Sequence, residues 1–426
     1  MTIIVLFALL LFFLVLSVPI GITLGLSTLI TVVTTTNIST LIISQNAFAA
    51  LDSFPLMAIP FFILAGQLMK HGGLSERLLN LANSLVGFMT GGLAMVTTVA
   101  CMFFAAISGS APATVSAIGS FMVPSMKERG YATGFAAAIT AAGGTIGVII
   151  PPSIPFVIYG VVTGTSIGTM FIAGIIPGIM IGIALMVASY YVARREGYRG
   201  IDRRPTLREI LQSLNESKYA LMAPIIILGG IYGGIFTPTE AAVVAVVYGL
   251  IIGIFVHKEL GWEEIYSSLR ETVLINGATT FMIGLSISFA HLLTMEQVPA
   301  TIANILFSIS ESKIVVLLLI NLFLLFVGCF IDNISSCIIL APMLLPVVSK
   351  LGIHPIHFGI FMTVNLAVGF ITPPYGANLF VASAVAGIQL DEMLKYIFPF
   401  IIGMVVVLLL LTFLPWFSMF LPGLMG

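Results

Sequence analysis

Asp332 is the one acid that falls at the middle of a long apolar segment, in Gly328-Cys-Phe-Ile-Asp332-Asn333-Ile-Ser335-Ser336. Burying an ionisable side chain in hydrocarbon is costly, so such a residue is a functional candidate; its plainer reading is a cap on the helix that follows. A second polar interruption, Ser108-Gly-Ser110-Ala-Pro112-Ala-Thr114, breaks another apolar run. Each interruption has a Gly- and Pro-rich counterpart. For the first it is Gly143-Gly144-Thr-Ile-Gly147-Val148-Ile-Ile-Pro151-Pro152-Ser153, and for the second Ala367-Val-Gly369-Phe-Ile-Thr372-Pro373-Pro374-Tyr375-Gly-Ala-Asn378. A Pro-Pro pair inside a span removes two backbone donors and frees carbonyls of the preceding turn. Freed carbonyls together with Ser, Thr, Asp and Asn oxygens, without His or Cys, suit an alkali or similar hard cation. Helices starting after Ser110 and Asn333 would point unsatisfied N–H groups into the same space, and those ends attract carboxylates. The expected site therefore binds cations and an organic anion together.

These elements must be positioned by a membrane protein. The 426 residues are 59% hydrophobic and only 8% charged, with a mean hydropathy of +1.18, whereas an ordinary globular domain is about 25% charged. A net charge of −1 argues against nucleic acid as a partner, which needs clustered Lys and Arg. Cys101, Cys329 and Cys337 lie in apolar runs without metal-ligand spacing and read as packing residues. No His-Glu-x-x-His pair, Walker-type loop or Gly-x-Ser-x-Gly elbow is present, so no enzyme class is favoured. The first basic residue is Lys70, so the N-terminus is expected to be a retained span rather than a cleaved signal peptide.

By the length of a bilayer crossing, spans are expected at about 1–20, 21–43, 54–70, 131–165, 168–193, 219–235, 238–257, 273–293, 356–389 and 393–420. Segments 86–127 and 313–350 are long enough for two passes but carry the polar breaks, so they are expected to be hairpins that enter the bilayer and turn back. Such turns are allowed only where protein or a cavity surrounds the non-helical backbone. The segment Arg194–Lys218 carries seven basic and four acidic residues and is assigned to the cytoplasm. Counted outward from that anchor, 14 basic residues fall inside and only Lys313 and Lys350 outside.

An internal repeat ties the two interruptions together. At a fixed offset of 222, Pro124, Gly130, Gly147, Pro151, Pro152 and Pro177 land on Pro346, Gly352, Gly369, Pro373, Pro374 and Pro399 without a gap. Five crossings separate the hairpin bases, so the repeats are expected to be inverted, the mark of a secondary transporter with its site between two halves. The domain division that follows is 1–53 as N-terminal scaffold helices and 54–190 as the first repeat. It continues with 191–275 as cytoplasmic loop, scaffold helices and an amphipathic arm, and 276–426 as the second repeat. Glu259–Thr272 reads either as an amphipathic arm linking scaffold to moving domain or as an ordinary surface-lying connector, with a matching polar stretch at Met295–Lys313. Thr237-Pro238-Thr239-Glu240 reads as a capping box, and His291 and His357 as hydrogen-bonded helix residues rather than proton relays.

The run Gly229-Gly-Ile-Tyr-Gly-Gly-Ile-Phe-Thr237-Pro-Thr-Glu240-Ala-Ala, the stretch Ile59–Gly66, the Ser108-Gly-Ser110 tip and both Pro-Pro segments resemble the large membrane subunit of tripartite ATP-independent periplasmic (TRAP) transporters, over essentially the whole chain. The resemblance implies an all-α polytopic membrane protein of the inverted-repeat, elevator-type ion-transporter fold, with two re-entrant hairpins and two broken helices. It implies sodium-driven uptake of an organic acid across the inner (cytoplasmic) membrane. It also implies a small four-helix membrane subunit as a separate polypeptide and a periplasmic substrate-binding protein. Carried over by residue, the sodium sites fall on Ser108 and Ser110 with Gly144, Gly147, Val148 and Pro151, and on Gly328, Asp332 and Asn333 with Gly369, Thr372 and Pro373. Substrate is placed near Ser110, Ser153, Asp332, Asn333 and Asn378. The overall similarity favours the sialic-acid branch, with a C4-dicarboxylate permease or a self-sufficient sodium–carboxylate symporter as alternatives and a passive channel disfavoured. No basic residue is expected in the cavity, leaving helix ends and cations to meet the carboxylate.

Overall fold

The computed structural model describes residues 1–200 and 203–424. Among these residues the regular structure is all helical, and seven helices are long and apolar enough to cross a membrane. Shorter apolar helices, including Gly92–Ser108, Thr133–Val148 and Pro355–Gly369, build the interior.

The two repeats show their relation in helix boundaries. Hairpin one consists of Gly92–Ser108 and Ala111–Glu128, and hairpin two of Lys313–Phe330 and Asn333–Lys350. At the offset of 222, the second arm of one lands on the second arm of the other at both ends. The first broken helix runs Thr133–Gly144, passes through the tight turn Thr145–Val148, and resumes at Ile154–Thr163. Its mate runs Pro355–Gly369 and resumes at Ala377–Ala386. Local chemistry explains the stops. Gly109 ends hairpin one's first arm in a left-handed conformation (φ 62°), Ser110 is extended, and Pro112 opens the second arm. In hairpin two, Asp332 takes the extended cap position and accepts a hydrogen bond from the Ser335 amide at 3.0 Å. Both Pro-Pro bonds, Pro151–Pro152 and Pro373–Pro374, are cis.

Three sequence expectations are corrected. The arm Glu259–Thr272 is not separate from the span at 273–293: one helix runs Trp262–Met295, because no Pro interrupts it and Gly277 sits in open space. The stretch Met295–Lys313 is mostly a short apolar helix, Val298–Ile309, entered through Gln297 with positive φ. Its counterpart at the repeat offset is Leu74–Val86, not the arm. An additional helix, Leu41–Leu51, packs against Trp262–Met295 together with Ile20–Thr35 and Ala58–His71, and this long helix also meets hairpin two's second arm. It thus connects the outer helices to hairpin two.

The capping box forms as read: Glu240 Oε2 accepts from the Thr237 amide at 2.8 Å while the Glu240 amide donates to Thr237 Oγ1 at 3.3 Å. His357 lies 2.6 Å from Ser418 Oγ and 3.3 Å from the Thr412 carbonyl through its two ring nitrogens. It is fully engaged in helix packing.

Candidate functional site

Each hairpin tip is tied to the broken helix of its own repeat. The Ile154 amide donates to the Gly109 carbonyl at 3.2 Å, and the Gly376 amide donates to the Cys329 carbonyl at 3.2 Å. Contact at these crossings is close enough to require glycine. A Cβ on Gly147 would lie 2.5 Å from both the Ser110 carbonyl oxygen and Thr114 Oγ1. A Cβ on Gly369 would lie 2.5 Å from the Gly328 carbonyl oxygen, and one on Gly144 would strike Val115. These glycines let backbone approach backbone, which concentrates carbonyl oxygens beside the tips.

A cavity of about 420 Å³ opens where the tips meet. Ser108, Ser110, Val148, Asp332 and Asn333 line it. The other predicted residues stand behind that surface. Gly144, Gly147, Gly328 and Gly369 form the crossings just described, and Thr372 Oγ1 donates to the Val368 carbonyl at 2.8 Å. Pro151 and Pro373 begin the two cis pairs. Ser153 caps its half-helix and donates to the Val148 carbonyl at 2.6 Å. Asn378 is buried and bridges the repeats, its amide nitrogen donating to the Ala141 carbonyl at 3.0 Å.

The two tips differ in chemistry. In tip one, Ser108 Oγ and Thr114 Oγ1 are 2.9 Å apart and Thr114 Oγ1 donates to the Ser110 carbonyl at 2.8 Å, so the hydroxyls satisfy one another. The helix that starts there has no side-chain cap, so its first amides stay open to an anion. In tip two, Asp332 Oδ2 caps the helix while Oδ1 has no partner. Asn333 Nδ2, Ser335 Oγ, Ser336 Oγ, Thr363 Oγ1 and Asn365 Oδ1 are likewise buried without partners. A buried polar group left unpaired costs about 1–3 kcal/mol, and Asn333, Ser335 and Ser336, which follow Asp332 in the chain, concentrate such groups in tip two, as a ligand site would. The set is dominated by oxygen and holds one formal negative charge, which fits an alkali cation.

Several residues here escaped the sequence reading. Thr363 and Asn365 lie in the apolar run Phe361–Gly369, and Asn365 Nδ2 donates to Asn321 Oδ1 at 2.8 Å, whose own amide reaches Thr412 Oγ1 at 3.1 Å. Polar side chains buried in an apolar run were the available signal. The expectation that no basic residue enters the cavity is also corrected: Lys70 lines it, beside Gln67 and Glu271. Lys70 ends the helix Ala58–His71, and a terminal lysine is easily assigned to the surface, although its side chain reaches back along the helix.

Comparison with known proteins agrees with this architecture. The family described as "Tripartite ATP-independent periplasmic transporter, DctM component" matches residues 7–417. An isethionate TRAP transporter permease protein of Oleidesulfovibrio alaskensis is 50% identical over 98% of the chain, which spans 66% of that relative's length. A C4-dicarboxylate TRAP transporter large permease protein of Pseudomonas aeruginosa is 42% identical, covering 95% of this chain and 94% of its own. A sialic acid TRAP transporter large permease protein of Vibrio cholerae is 39% identical over 89% of each. The crystal structure of the YdaH transporter of Alcanivorax borkumensis superposes with a TM-score of 0.62 at 15% identity, covering 87% of both chains, a likeness of fold. The chain therefore belongs to the DctM component of the tripartite ATP-independent periplasmic transporters and is a multi-pass transport protein of the inner membrane.

Proposed function

We propose that this chain is the permease subunit through which a sodium gradient drives uptake of a small organic acid, by an elevator movement of the hairpins and broken helices. The observation that carries the reading is one cavity bounded by two unlike tips: an uncapped helix N-terminus at Ala111 and a carboxylate with unpartnered oxygen neighbours at Asp332. The first attracts an acid group and the second a cation. Sodium would be held by Asp332, Asn333 and the Gly369–Pro373 turn, and by Ser108, Ser110 and the Gly144–Pro151 turn. A bound cation supplies positive charge that offsets the Asp332 carboxylate beside an incoming acid. The cavity extends from the tips to Lys70 and Glu271, at the end that the charge pattern assigns to the cytoplasm, which supports reading it as an inward-facing arrangement.

The tripartite family supports a small four-helix membrane subunit and a periplasmic binding protein as partners. For the substrate, the relatives carry three names: isethionate, C4-dicarboxylate and sialic acid. The 50% identity of the first makes a small sulfonate the leading candidate, ahead of the sialic acid favoured by overall resemblance. Reconstitution of the chain with both partners, followed by uptake of labelled isethionate, succinate and sialic acid with and without an inward sodium gradient, tests the proposal. Uptake of one acid that needs sodium and all three components is expected. Sodium-driven uptake by the chain alone would replace the reading with a self-sufficient symporter.

A further inference from the structure

Two helix faces line the cavity between the tips and the cytoplasmic end. Gly66, Gln67 and Lys70 share one face of Ala58–His71, and Glu271, Ile275 and Thr279 share one face of Trp262–Met295. Gly66 lies against tip one, where a Cβ would be 3.3 Å from Ser108 Cα, so this face begins at the candidate site itself. Gln67 is 8% exposed, and its Oε1 has no hydrogen-bond partner. That oxygen is an acceptor, so it suits a donor such as the Lys70 ammonium on the same helix face and would hold that cation in place rather than meet the acid itself.

Charge makes the next step. Asp332 and Glu271 both line the space, so an acid leaving the tips would pass two carboxylates. Lys70 is the cation on that wall. Its Nζ stands 3.7 Å from Glu271 Oε2, farther than the roughly 2.7–2.9 Å of a charge-assisted hydrogen bond. An ammonium has three donors, so capacity for a second acid remains. Glu271 has an alternative neighbour, since its Oε1 lies 4.0 Å from His71 Nε2.

We infer that Lys70, with Gln67 behind it, forms an exit station for the acid group of the transported anion, and that Glu271 competes with that group for the ammonium. The anion leaves the tips, exchanges places with Glu271 on Lys70, and is released when Glu271 returns. This inference rests on the transport reading above and adds a residue-level step on the cytoplasmic side. The competing carboxylate keeps the station from becoming a trap.

The test uses the complete reconstituted transporter and the labelled acid that the wild type carries among isethionate, succinate and sialic acid. Two constants are measured: the KM for uptake, and the half-saturating internal concentration for efflux of preloaded acid to excess unliganded binding protein. Lys70→Gln is expected to raise the internal constant by up to about fivefold, the upper scale of a partly exposed charge pair, and by more than it raises the uptake KM. Lys70→Arg is expected to restore the internal constant, and Glu271→Gln to lower it. Should Lys70→Gln fail to assemble, Gln67→Leu carries the same expected direction. An unchanged internal constant in these variants, or a shift in the same direction for Lys70→Gln and Glu271→Gln, would overturn the inference, the latter marking a merely structural pair. Absence of sodium-driven uptake by the wild-type complex would overturn the transport reading and the exit station with it.

Discussion

Gly369 rests on Gly328 so closely that a Cβ on Gly369 would stand 2.5 Å from the Gly328 carbonyl oxygen and 2.6 Å from its Cα. Both obstructing atoms are backbone, so neither moves aside as a side chain would. Gly369→Ala is expected to force the hairpin-two arm away from the broken helix, with a stability loss of about 1–3 kcal/mol and weaker sodium activation of uptake. Gly277→Ala is the matched control: nothing lies within 4 Å of its Cβ. Thermal unfolding of both variants in detergent checks the contrast, and equal behaviour would refute the close-contact argument.

Asp332 has two separable jobs, capping through Oδ2 and presenting Oδ1 without a partner. Asn caps a helix about as well as Asp, so Asp332→Asn is expected to keep the melting temperature while raising the half-saturating sodium concentration about tenfold or more, the scale of losing a bond to a charged group. Asp332→Ala should lose the cap as well, at about 1 kcal/mol. Sodium titrations of uptake beside melting curves separate the two effects.

Glu240 serves a capping box far from the tips, in mutual hydrogen bonds with Thr237. Thr237→Ala is therefore expected to lower stability by about 1 kcal/mol with uptake KM unchanged. A shift in KM without a shift in melting temperature would show that this end of the helix touches transport.

Asn321 and Asn365 join through two hydrogen bonds in the interior, one to the Asn321 carbonyl and one to its side chain. Asn321→Leu should leave the Asn365 amide short of a partner, at about 1–3 kcal/mol, and Asn321→Leu with Asn365→Leu should recover part of that loss. A double variant as unstable as the sum of the singles would mean that the network is not coupled.

Glu209 lies in the polar segment Arg194–Lys218, where the Thr206 backbone amide, followed by the Arg203 and Thr206 side chains, holds its carboxyl below the usual glutamate range. A lowered native pKa contributes stability above the unfolded value, and that contribution is lost as pH falls through the native one. The stability difference between wild type and Glu209→Gln should therefore be present at neutral pH and shrink in acid below the ordinary glutamate range. A difference that is flat with pH would remove the capping carboxylate from the account.

How much of this was legible in the residues depends on whether the cause was local. Hairpin tips, broken helices and the capping box each follow from Gly, Pro, Ser, Thr and Asp acting within a few residues, and their boundaries fall close to the expected places. The repeat offset held because helix stops at Gly130 and Gly352 both use positive φ. What escaped was long-range. Lys70 reads as a surface lysine until Trp262–Met295 packs alongside and closes a wall around it. Asn365 reads as an oddity in an apolar run until Asn321 is brought across from hairpin two's first arm. The helix through Glu271 is continuous although its pattern changes from amphipathic to apolar along its length, because no residue between the two stretches ends a helix.

The bonds from Ile154 to Gly109 and from Gly376 to Cys329 fasten each tip to the half-helix beside it. A hairpin swinging like a flap would have to break its bond and expose both backbone groups, at about 1–3 kcal/mol for each group left unpaired. In the proposed elevator movement tip and half-helix would therefore travel as one bolt, with the cargo enclosed in the metal rather than under a door. Leakage is then limited by the fit of the bolt in its housing, and a substitution along the helix Trp262–Met295 can loosen the seal without touching any group that holds the cargo.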